Sequence, residues 1–89
     1  MSQIAVEREP TSQPLDLLAS VHARRELPPP VMRRAIRQAA GVSLRGMAGA
    51  VGVTPQAVAF WERDERTPTG DRLVRYVEVL SSLEREGSR

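Results

Sequence analysis

Residues 43–62 read SLRGMAGAVGVTPQAVAFWE. Two apolar stripes run through them, Leu44, Met47, Ala48 and Val51 first, then Val58 and Trp61, at the spacing of a helix face. Ser43 stands before the first stripe, where a hydroxyl caps free backbone N–H groups. Gly52 stands after it, where a left-handed backbone ends a helix at little cost. Thr54-Pro55 opens the second stripe with a capping residue and a proline at the first helical position. Only Gly52-Val53-Thr54 lies between. A link this short makes two brief helices cross steeply, and Ala48 is small where they approach most closely.

The same template extends outward. Met32, Ala35, Ile36 and Ala39 predict a helix ended by Gly41, and Leu73, Tyr76, Val77 and Leu80, extended by Leu83, predict another. Asp64 to Thr69, with Pro68, is the loop between. Pro14 to Glu26 predicts a short helix from Leu17, Leu18, Val21 and Arg25, with Pro14 in its first turn and Ser12 as cap. It stops at Leu27-Pro28-Pro29-Pro30, a stiff spacer whose last proline can open the next helix. Met1 to Gln13 reads as a loose arm. No segment reads as a strand, so the class is all-α. Residues 1–30 form an arm, a helix and a proline-rich linker, and residues 31–86 form the main domain.

The chain has 89 residues. A chain of that size buries roughly 60–65% of its unfolded surface, enough for four or five short helices and too little for a Rossmann or TIM-barrel enzyme. There is no cysteine and one histidine, His22, which excludes disulfide frameworks, thiolate catalysis and any metal site or triad built on His alone. No apolar run nears the span of a bilayer and no signal peptide is visible, so the expectation is a soluble, cytoplasmic, non-enzymatic protein without cofactor or metal. Net charge is +2, and all 13 basic residues are arginine, as a GC-rich genome would give. Residues 1–30 hold three Arg against four acids, and residues 61–89 six against seven. Residues 31–60 hold Arg33, Arg34, Arg37 and Arg45 against none, a local basic block.

The paired stripes and their turn are the helix-turn-helix pattern. Together with Arg66-Thr67-Pro68 and the Leu73 to Leu80 stripe, residues 43–62 resemble the Xre/Cro, lambda-repressor-like DNA-binding family, over residues 30–83 or so. The resemblance implies a five-helix bundle, here with an N-terminal helical extension. It also implies a transcriptional regulator that binds operators as a dimer, in a bacterium or its phage. Two positions depart from the family: Leu44 stands where glutamine often opens the second helix, and Asp64 where glycine often follows the third. Asp tolerates left-handed geometry better than most residues.

At about 100° per residue, Val58 and Trp61 share the inner side of the third helix, and Gln56, Ala59, Phe60 and Arg63 the outer. Such a helix fits the major groove of double-stranded DNA. Gln56 suits adenine, Arg63 guanine or a phosphate, and Phe60 a thymine methyl, with Ala59 on the same face. Thr54 and Pro55 begin the helix where backbone N–H groups meet a phosphate. Arg33, Arg34 and Arg37 are phosphate candidates from the basic block, with Arg45 the first of them. Glu62 repels phosphate and is expected to pair inside the chain, with Arg66. One copy offers few base contacts, so a homodimer is expected, through the helix at Leu80 and Leu83 or that at Leu17 and Leu18. No effector segment is visible, so regulation by occupancy of the operator is expected, with no membrane or small-molecule partner. Two alternatives fit the same residues. One is a scaffold for protein binding, as in an antitoxin, anti-repressor or phage inhibitor. The other is a recombination directionality factor that bends DNA.

Overall fold

Five helices carry residues 14–87, the part of the chain that the computed structural model describes. They are α1 Pro14–Glu26, α2 Pro30–Ala39, α3 Leu44–Val51, α4 Pro55–Glu62 and α5 Gly70–Gly87. No strand occurs among the described residues. The fold is an all-α bundle, and its five helices include the N-terminal one. The arm expected at Met1 to Gln13 and the cap expected at Ser12 lie outside the described residues.

Local chemistry sets the ends of the central pair. The Ser43 hydroxyl accepts from the Gly46 N–H at 2.9 Å, and the Thr54 hydroxyl from the Ala57 N–H at 3.1 Å. Each satisfies a donor that the first turn leaves without a helical partner. Gly52 closes α3 at φ 88°, with its N–H 2.7 Å from the Ala48 carbonyl. Asp64 does the same work after α4 at φ 60°. The Glu65 N–H reaches the Phe60 carbonyl at 2.9 Å and the Asp64 N–H the Trp61 carbonyl at 3.3 Å, the paired bonds of a Schellman ending.

The core forms where α3, α4 and α5 meet. Met47, Ala48, Val51, Val58, Trp61, Tyr76 and Leu80 are buried there, with Ile36 from α2. The Trp61 and Tyr76 rings lie 4.7 Å apart, tilted by 49°, a favoured aromatic geometry. Leu80 is 1% exposed and Leu83 packs against the same cluster. Leu80 therefore holds the monomer together and is not available as the dimer surface expected there.

α1 docks on α5 through Ala23, which is buried with Leu73 and Val77. Its bulkier residues Leu17, Leu18 and Val21 are exposed. At 100° per residue they centre on the side opposite Ala23, so the small residue faces in and permits close helix approach.

Tyr76 carries a consequence for alkaline stability. Its hydroxyl is buried and has no hydrogen-bond partner among the described residues. Burial, more than any charge, pushes the phenol from 10.0 up to about 12. Tyr76 is the only tyrosine, and the chain has no lysine or cysteine. No other side chain therefore titrates between about pH 9 and 12. The folded state prefers the neutral phenol, so its contribution is complete below the unfolded value and is lost as pH climbs through the folded one. Urea unfolding should lose about 2 kcal/mol across that window, and Tyr76→Phe should abolish the decline without weakening the fold at neutral pH. A flat alkaline profile for the parent chain would refute the burial of this hydroxyl.

Candidate nucleic-acid interface

The orientation of α4 is set from beneath by two arginines of α2. Arg33 and Arg37 lie one turn apart and are 6% and 8% exposed. Arg33 donates from Nη1 to the Trp61 carbonyl at 2.8 Å and from Nε to the Pro28 carbonyl at 2.7 Å. Arg37 grips Glu62 with both edges of its fork, Nε to Oε2 at 2.6 Å and Nη2 to Oε1 at 3.0 Å. Its Nη1 donates to the Val42 carbonyl at 2.9 Å. The Glu62 hydrogen bonds, opposed in part by desolvation, raise the Arg37 pKa above its usual range. Bidentate geometry and full use of the nitrogens are what make a buried ion pair tolerable.

This arrangement corrects two expectations. Neither Arg33 nor Arg37 stands ready for a phosphate: both are buried, Arg33 on two backbone carbonyls and Arg37 with each of its nitrogens engaged inside the protein. Glu62 pairs inside the chain as expected, but with Arg37 and not with Arg66. Arg66 is four residues away along the sequence, but the chain leaves the helix at Asp64, and Arg66 turns to Phe60. The basic block is thus half structural: of its four arginines, only Arg34 and Arg45 are exposed.

The outer side of α4 carries the remaining candidates. Thr54, Pro55, Gln56 and Arg63 are exposed, and Ala59 and Phe60 half-buried. Arg45 is exposed on the first turn of α3. Two cations lie over the Phe60 ring, with the guanidinium of Arg63 5.4 Å from the ring centre and that of Arg66 5.1 Å. Arg63 also pairs with Glu65 at 2.9 and 3.1 Å, in a contact open to solvent. The bond raises the Arg63 pKa and lowers that of Glu65. On one side of α4 lies an open depression of about 580 Å³ bounded by Thr54, Gln56, Phe60, Arg66 and Arg72. On the other lies a smaller one of about 200 Å³ bounded by Arg34, Leu44, Ala59 and Arg63. Both flanks of the helix therefore carry exposed guanidinium groups.

Arg66 and Arg72 were not among the expected contact residues. The loop from Asp64 to Thr69 brings them beside α4, and its path is not periodic, so no spacing rule finds them. Leu44 packs against the core, and its position therefore supplies an apolar contact in place of a polar one. Among the described residues no helix is long and apolar enough to cross a membrane.

Comparison with known families agrees with this geometry. The family model described as Helix-turn-helix matches residues 34–84, more than half of the chain. The chain belongs to this family of DNA-binding domains, the Xre or lambda-repressor-like helix-turn-helix. No curated protein and no solved structure matches it.

If the α2 clamp orients α4, breaking it should be costly. Arg37→Met leaves the Glu62 carboxylate buried without its partner and should cost about 3–5 kcal/mol in urea unfolding. That is a large part of a small domain's stability. Adding Glu62→Leu to Arg37→Met should restore most of the loss, since the stranded charge is then gone. A loss below about 1 kcal/mol for Arg37→Met, the value typical of a surface pair, would contradict the clamp.

Proposed function

We propose that this chain is a sequence-specific transcriptional regulator that reads double-stranded DNA by laying α4 in the major groove. The observation that carries the reading is how α4 is presented. Its inner side is fixed by Val58, Trp61 and the α2 clamp, while its outer side offers Gln56, Phe60 and Arg63 between two arginine-bearing flanks.

In this reading Gln56 bonds adenine through its N6 and N7 edge, Arg63 bonds guanine, and Phe60 and Ala59 meet a thymine methyl. Thr54, Pro55 and the backbone around them approach one phosphate, and Arg45 another. Arg66, Arg72 and Arg34 add to the attraction for the backbone. An eight-residue helix reaches few base pairs. A homodimer on two half-sites about one helical turn apart supplies the rest of the affinity. Such a protein acts in the cytoplasm on the nucleoid, and it represses by occupying its operator as Cro-like proteins do.

Selection of bound duplexes from a random pool tests this reading. The expected product is a palindromic consensus whose affinity falls steeply with salt, because phosphate contacts release counterions. Gln56→Ala should cost about 1–3 kcal/mol on that duplex and relax the selection at one position of each half-site. Arg45→Ala should weaken all sequences alike and reduce the salt slope by about one. Recovery of no consensus, together with no salt-sensitive binding, would refute the proposal.

A further inference from the structure

Arg63 and Glu65 flank a left-handed residue, and that placement decides how they meet. Asp64 at φ 60° reverses the chain after α4, so the two side chains come together although they are only two residues apart. The backbone of Glu65 is itself held, its N–H on the Phe60 carbonyl at 2.9 Å. Its carboxylate takes Nε–H of Arg63 at 2.9 Å and one Nη2 hydrogen at 3.1 Å.

A guanidinium has five N–H donors. A carboxylate on the Nε and Nη2 edge leaves both Nη1 hydrogens and the second Nη2 hydrogen. One of the Nη1 hydrogens and that Nη2 hydrogen form the end-on fork that matches O6 and N7 of guanine. Phe60 lies under the same guanidinium at 5.4 Å. With a carboxylate on one edge and a ring on one face, a long side chain with many rotamers is biased toward one orientation. The ordering cost of binding then falls for the base that fits the free fork. A released Arg63 would instead be drawn to the nearest phosphate, which carries no sequence information.

We propose that Glu65 is a positioning residue for base recognition, holding Arg63 side-on so that its end-on fork is aimed at guanine, while its own charge disfavours arbitrary DNA. The inference rests on α4 being the reading helix. It assigns a task to an acid that simple charge counting would regard as harmful at a DNA surface.

The test uses the full chain, the selected duplex, its single-base variants and a random duplex. Arg63→Ala identifies the position that Arg63 reads, as the one where discrimination collapses. At that position Glu65→Ala should reduce the preference for guanine by about tenfold, while binding to the random duplex tightens by about threefold. In the double variant Arg63→Ala with Glu65→Ala, discrimination should be no lower than in Arg63→Ala alone. A merely structural Glu65 would weaken both duplexes together. Full discrimination retained by Glu65→Ala, or no position sensitive to Arg63→Ala, would overturn the inference and leave DNA binding standing. Absence of salt-sensitive binding by the parent chain would overturn the reading beneath it as well.

Discussion

Two arginines one turn apart on α2 hold the end of α4, the second helix of the helix-turn-helix. An isolated helix of eight residues is far too short to persist in water, so α4 owes its existence to its surroundings. Thr54 and Asp64 satisfy its two ends, Val58 and Trp61 bury one side, and Arg33 and Arg37 take the Trp61 carbonyl and the Glu62 carboxylate. The first three devices give a helix, and the last gives it a direction. A direct charge pair is suited to that task because its bidentate geometry tolerates little rotation. The same grip reaches the Val42 carbonyl just before Ser43. α2 therefore fixes the approach to α3 and the end of α4 together, and both helices of the motif are referred to one support.

That use of arginine changes the meaning of the charge. A net charge of +2 with an acid-free middle third suggests a basic surface over residues 31–60. Half of those guanidinium groups are inside, neutralised or spent on carbonyls. The exposed positive charge beside α4 comes from Arg34 and Arg45 and, from beyond the block, Arg63, Arg66 and Arg72. Electrostatic attraction to a phosphate backbone depends on this outer set, so charge counted along the chain misplaces it.

What the sequence makes legible here is what is decided within a few residues. The caps at Ser43 and Thr54, the turn at Gly52 and the left-handed Asp64 all follow from neighbours within one helical turn. The inner pair Val58 and Trp61 follows from period alone. The partner of Glu62 lies 25 residues away on another helix; choosing it requires the packing of α2 under α4, and the nearer Arg66 is the natural wrong choice. α1 shows a different limit. Its apolar spacing is real, but periodicity does not say which side docks, and close approach to α5 selects Ala23 over the leucines. Leu80 belongs to the same class: an apolar position on a terminal helix fits a dimer surface and a core equally well until neighbours are known.

The most direct test of α4 as the reading element is an amide chemical-shift map of the labelled chain, titrated with the duplex that selection returns. The largest shifts should fall on Ser43 to Gly46, on Thr54 to Phe60, and on Arg63 and Arg66, with Arg33 and Arg37 side-chain signals unchanged because the clamp stays closed. A map centred instead on Leu17 to Val21 of α1, with α4 undisturbed, would contradict the assignment of this helix to DNA.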